Sequence, residues 1–128
     1  MSQDRATFQQ LAELRLAEAK LLLAKNGCPS GAYYLAGYAI ECALKAIIAA
    51  DFRANEIPDL KYVRDIYTHD LSALLRLAEL EQELEAEKNK NPGLYQRWAT
   101  VQTWSERARY EVWTDASASA ILGAIDGD

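Results

Sequence analysis

The chain has 128 residues, enough for one domain over residues 1–128 and too few for two ordinary ones. Half of them are hydrophobic and 26% are charged, the profile of a folded chain and not of a disordered one. A net charge of −5 argues against a surface that coats nucleic acid through phosphate contacts alone.

Alanine, leucine and glutamate dominate and β-branched residues are sparse, so helix is favoured nearly everywhere. Periodicity predicts a first helix from Arg5 to Lys25, with Phe8, Leu11, Leu14, Leu21 and Leu22 as its apolar stripe. Asn26-Gly27 stops it, glycine being the usual residue just past a helix end. Ser30 opens a second long helix that runs to about Phe52. The short turn between the two predicts an antiparallel hairpin.

The second helix is the most informative stretch. Between Ala32 and Ala50 it is apolar and small except for Glu41 and Lys45, four residues apart and in the order that a helix brings side by side. Tyr34 and Tyr38 precede Glu41 by seven and three residues, so the four share one face. Ala32, Ala36, Ala39, Ala43, Ala46 and Ala50 form a stripe of small side chains that expects a close neighbour. An ion pair on so apolar a helix must find its remaining partners inside the protein.

Pro58 breaks the pattern, and a connector through Tyr62, Val63, Ile66 and Tyr67 follows. Thr68 or Asp70 caps a third helix carrying Leu71, Leu74, Leu75 and Ala78. Glu79 to Lys90, acidic and then basic, reads as a solvated helix end and loop. Pro92 opens a fourth helix with Leu94, Trp98 and Val101 on one face. Trp104 to Tyr110 reads as a polar connector, and Thr114 or Asp115 caps a last helix with Ala118, Ile121, Leu122 and Ile125 inward. The sum is an all-α fold, an antiparallel bundle of four to five helices.

One histidine and two cysteines without ligand spacing give no basis for a zinc site, and no glycine-rich phosphate loop occurs, so neither metal nor cofactor is expected. Cys42, inside the apolar helix, reads as a small buried hydrophobe. The N-terminus lacks the apolar run of a signal peptide, and Glu41 and Lys45 near the middle of the apolar helix disfavour a membrane span. A reduced, cytoplasmic protein is the expectation.

Taken in order, the first amphipathic helix, the run Ala32-Tyr-Tyr-Leu-Ala-Gly-Tyr-Ala-Ile-Glu-Cys-Ala-Leu-Lys-Ala46, Thr68-His69-Asp70-Leu71 and Arg109-Tyr110 resemble the HEPN family (higher eukaryotes and prokaryotes nucleotide-binding domain). The resemblance covers nearly the whole chain. It implies an HEPN-like bundle, a homodimer, and in prokaryotes a minimal nucleotidyltransferase encoded alongside, with the HEPN member often the toxin of a toxin–antitoxin pair.

Active HEPN ribonucleases carry Arg, four to six residues, then His near the start of a late helix. The imidazole moves the proton, and the guanidinium steadies the phosphate. Arg109 stands in that place, but no histidine follows it. The spacing recurs only in Arg64-Asp-Ile-Tyr-Thr-His69, ahead of the third helix, which makes Arg64 and His69 the candidate catalytic pair if the chain is a nuclease. The alternative reading has His69 beginning a helix or anchoring the connector. Without strong catalysis, the resemblance implies a module that binds a nucleotide, an RNA segment or a protein partner. Tyr34, Tyr38, Glu41, Lys45, Arg109 and Tyr110 are its candidate ligand surface, since an aromatic beside arginine stacks on a base and contacts a phosphate. A docking or dimerisation protein is the third reading. It draws on the aromatics Tyr95, Trp98, Trp104 and Trp113, which exceed what one small core readily absorbs.

Overall fold

The computed structural model describes residues 4–25, 27–52 and 55–126. Among these it is helical, without strands: α1 (Arg5–Ala24), α2 (Pro29–Ala50), α3 (Leu60–Asp65), α4 (Leu71–Leu77), α5 (Glu81–Lys90), α6 (Pro92–Val101), a 3-10 turn (Glu106–Tyr110) and α7 (Asp115–Asp126). The all-α bundle is as the sequence predicts, with two helices more than the four to five expected.

Both additions have local causes. Asp59 caps α3 by accepting from the Lys61 amide, which gives the expected connector a short helix of its own. The helix expected to run on into the acidic stretch ends instead at Glu79, which takes a left-handed φ of 61°. The Glu79 amide donates to Arg76 and the Leu80 amide to Leu75, closing a Schellman turn with glutamate where glycine is usual. After that turn the acidic stretch starts afresh as α5, a helix with no buried residue.

The α1–α2 turn follows glycine chemistry. Gly27 holds φ at +60°, and the Cys28 amide reaches back to the Leu22 carbonyl at 2.8 Å. Asn26, the other half of the expected stop, lies outside the described residues. The second helix starts one residue before the expected Ser30, with Pro29 at its first position, where a missing N–H costs nothing. Ser30 is used otherwise. Its Oγ accepts from the Trp113 amide at 2.8 Å, while Trp113 stacks on Tyr33 at 3.8 Å and donates its indole N–H to the Ala108 carbonyl at 3.0 Å.

α2 is the axis of the domain, packed by α1, α4, α7 and the 3-10 turn, and most of the buried core is on it or against it. By length and composition it could span a bilayer, but 56% of its most apolar window is buried inside the protein. Its small residues do what the stripe predicts. Ala32, Ala36, Ala39 and Ala46 are buried, while Ala43 is half-buried and Ala50 exposed. The closest approach is at Gly37, where any Cβ would land inside the Trp104 indole. The α1 stripe needs one correction. Leu14 and Leu21 are 44% and 51% exposed, while Leu22 faces the core as expected and Ala19, Leu16 and Leu23 join it there.

Candidate functional site

Two carboxylates and one imidazole define the polar centre. Glu41 projects from α2 and is only 3% exposed. Lys45, one turn on, donates to its Oε2 at 3.2 Å, the contact that the sequence spacing predicts. The remaining partner is His69, whose Nδ1 lies 3.0 and 2.9 Å from the two Glu41 oxygens. On the other side of the ring, Nε2 faces Glu106 Oε2 of the 3-10 turn at 3.3 Å. A single imidazole thus links three segments far apart in sequence. A neutral ring donates to one of the two carboxylates, a protonated ring to both.

Local sequence sets His69 in place. Thr68 Oγ1 accepts from the Asp70 amide at 3.1 Å, and Asp70 caps α4 by accepting from the Ser72 and Ala73 amides. This entry turn faces α2 at Glu41, and the buried Leu71 and Leu74 behind it hold α4 down. Here His69 anchors the connector.

The other predicted site residues fall into two groups. Tyr38, Glu41, Lys45 and His69 border one cavity between α1, α2 and the segment from Pro58 to His69. Arg109 and Tyr110 lie on the 3-10 turn and are exposed, joined to the first group through Tyr34. Tyr34 and Tyr38 meet edge to face at 6.1 Å. Arg109 does not reach Glu41, whose ion partners are Lys45 and His69. The Tyr110 and Tyr34 side chains beside its guanidinium push its pKa further up, and it lies 4.9 Å over the Tyr110 ring. Among the described residues no carboxylate pairs with it.

Arg64 and His69, the spacing match, are not joined. Arg64 is exposed on α3, makes no hydrogen bond or ion pair with His69, and lines neither cavity that His69 borders. The aromatic surplus is also absorbed. Trp104 is 3% exposed, and Trp98 and Trp113 pack against the core, so these three form no open aromatic face. Glu106 is the site residue that sequence reasoning missed. Inside a stretch read as a polar connector, nothing marks it until the fold brings it to His69.

Beside Glu41, burial raises the Cys42 thiol from 9.0 to about 11, with the Glu41 charge adding to the effect. We expect a thiol reagent at pH 8 to label the exposed Cys28 in the native protein and to reach Cys42 only after denaturation. The folded value lies above the unfolded one, so this thiol's contribution to stability is present below pH 9 and is lost as pH rises towards 11. Burial raises the Tyr33, Tyr38 and Tyr62 phenols as well, which adds to the alkaline loss. Two labelled thiols in the native state at pH 8 would contradict this picture.

Compared with family models, curated proteins and solved structures, the chain matches none.

Proposed function

We propose that the chain is an HEPN-like module that binds a nucleotide or an RNA segment at the Arg109–Tyr110 turn, without strong catalysis of its own. The observation that carries this reading is the state of Arg109. It is exposed, without a carboxylate partner among the described residues, and flanked by Tyr110, over whose ring it lies at 4.9 Å, and Tyr34, which leave its charge intact. Tyr110 beside it is 77% exposed, an open ring on which a base can stack. Arg107 on the same turn is also exposed and adds a second positive charge. Phosphate is the anion that such a fork recognises best, and of the two acids beside the arginines Glu106 is turned to His69 while Glu111 is exposed, so the contact rests on the guanidinium fork and not on net positive charge.

The ribonuclease reading has less support. No histidine follows Arg109, and the single histidine has a carboxylate at each ring nitrogen and no arginine joined to it. A general acid or base needs a free nitrogen in reach of the substrate.

Fluorescence anisotropy with a labelled single-stranded RNA tests the proposal, with the same RNA run on a gel to read cleavage. Binding is expected to be salt-dependent and to weaken about tenfold to a hundredfold in Arg109→Ala, the usual cost of a charge-assisted contact. The RNA should stay intact. Binding that is unchanged in Arg109→Ala overturns the assignment. Cleavage that disappears in both Arg64→Ala and His69→Ala, with folding intact, would replace it with the nuclease reading.

A further inference from the structure

The cavity between α1, α2 and the 58–69 segment has a shape and polarity of its own, away from the Arg109 turn. Its volume is about 650 Å³, within the range that holds small molecules. Phe8 and Leu11 of α1, Ile48 and Phe52 at the far end of α2, and Val63 and Ile66 of the connecting segment supply apolar walls. The polar groups gather at the other end, where Tyr38, Glu41, Lys45 and His69 border it. Along the α2 axis, Glu41 and Ala49 are about 12 Å apart at the helical rise, with Phe52 just past the helix end. The site is therefore long, apolar through most of its length and polar at one end.

The polar end has ammonium donors to spare, and its one carboxylate acceptor, Glu41, is already engaged. Both Glu41 oxygens are engaged, by Lys45 and by His69 Nδ1, and His69 Nε2 is engaged by Glu106. An ammonium carries three donors. Glu41 takes one of those on Lys45, and no other described residue takes a second. Lys45 is largely withdrawn from water, its side chain 14% exposed, and with its charge offset by Glu41 it offers an anion its remaining N–H donors in a weakly screened setting. The Tyr38 hydroxyl borders the same end. A chain-like apolar body with one anionic head matches this arrangement. A bulky polyanion does not, because Glu41 lies beside the only ammonium.

We propose that this cavity is a binding site for a medium-chain carboxylate, its head group on Lys45 and its chain running between α1 and α2 towards Phe52. The site is separate from the Arg109 turn, so either can stand if the other fails.

Isothermal titration of the full chain with decanoate, and with decanol as the uncharged counterpart, tests the assignment. Decanoate should bind saturably at one site per chain, about tenfold to a hundredfold tighter than decanol. Lys45→Met should bring decanoate down to the level of decanol. Ala49→Phe fills the cavity from α2 while leaving Lys45 in place, and it should remove binding of both. Circular dichroism confirms that each variant is folded. If Lys45→Met fails to fold, the decanoate–decanol difference and Ala49→Phe decide the question. The proposal falls if decanoate shows no saturable binding, if decanol binds as tightly, if folded Lys45→Met binds decanoate like the parent, or if Ala49→Phe leaves binding unchanged.

Discussion

Glu41→Met should cost about 3 kcal/mol of folding stability, a fall of roughly 10 °C in melting temperature for a chain of this size. The carboxylate is buried and takes hydrogen bonds from Lys45 and His69, so its loss leaves a largely buried ammonium with no counter-charge. Glu41→Met combined with Lys45→Met should cost less than Glu41→Met alone, because the uncompensated charge goes too. His69→Ala should couple to Glu41→Met in a double-mutant cycle, since both act on one contact. Thermal melts of the parent and these four variants measure this. A Glu41→Met protein that melts with the parent would show that the pair contributes nothing to the fold.

That prediction rests on the part of the site that could be read without a structure. Two charges on an otherwise apolar helix, four residues apart, announce a buried pair that must be satisfied. The third partner could only be narrowed down. His69 is the sole histidine, but its approach to Glu41 depends on how the Thr68–Asp70 turn enters α4, which is a tertiary fact. Glu106 could not be found at all, because an acidic residue in a polar connector looks like any solvated carboxylate. The Arg64–His69 spacing misled for the complementary reason: a sequence interval of five residues says nothing of where the side chains point once a helix ends between them. Among the elements, long periodic helices were read to within a few residues. α3 and the break at Glu79 were not, because each depends on a single capping or left-handed residue and not on a period.

Gly37→Ala should be the most damaging single-methyl change in the protein. The added Cβ falls within the Trp104 indole, and neither partner has room to move: Gly37 is on the central helix, and Trp104 is buried against Tyr34 and the 3-10 turn. Overpacking alone typically costs about 1–3 kcal/mol. If the indole is expelled, the loss approaches the roughly 3–5 kcal/mol of deleting a buried aromatic. The buried indole N–H has no partner among the described residues, so Trp104→Phe should relieve an unmet donor and partly offset the Gly37→Ala loss when the two are combined. Denaturant melts of the two single variants and the double variant report this. A Gly37→Ala protein of parental stability would mean that Trp104 does not sit in the notch.

The three-way tie at His69 has a consequence for how the molecule opens. One ring ties the entry of α4 to α2 through Nδ1 and to the 3-10 turn through Nε2, so the α4 entry cannot come away without breaking both contacts. α5 is in the opposite situation. It has no fully buried residue, packs chiefly on α6, and is tied there by such contacts as Lys88 over the Tyr95 ring. Its amides should exchange with solvent through local fraying, while those of α2 wait for the whole domain to unfold. Two regimes of motion are therefore expected in one chain, with the Glu41–His69 tie in the slow one.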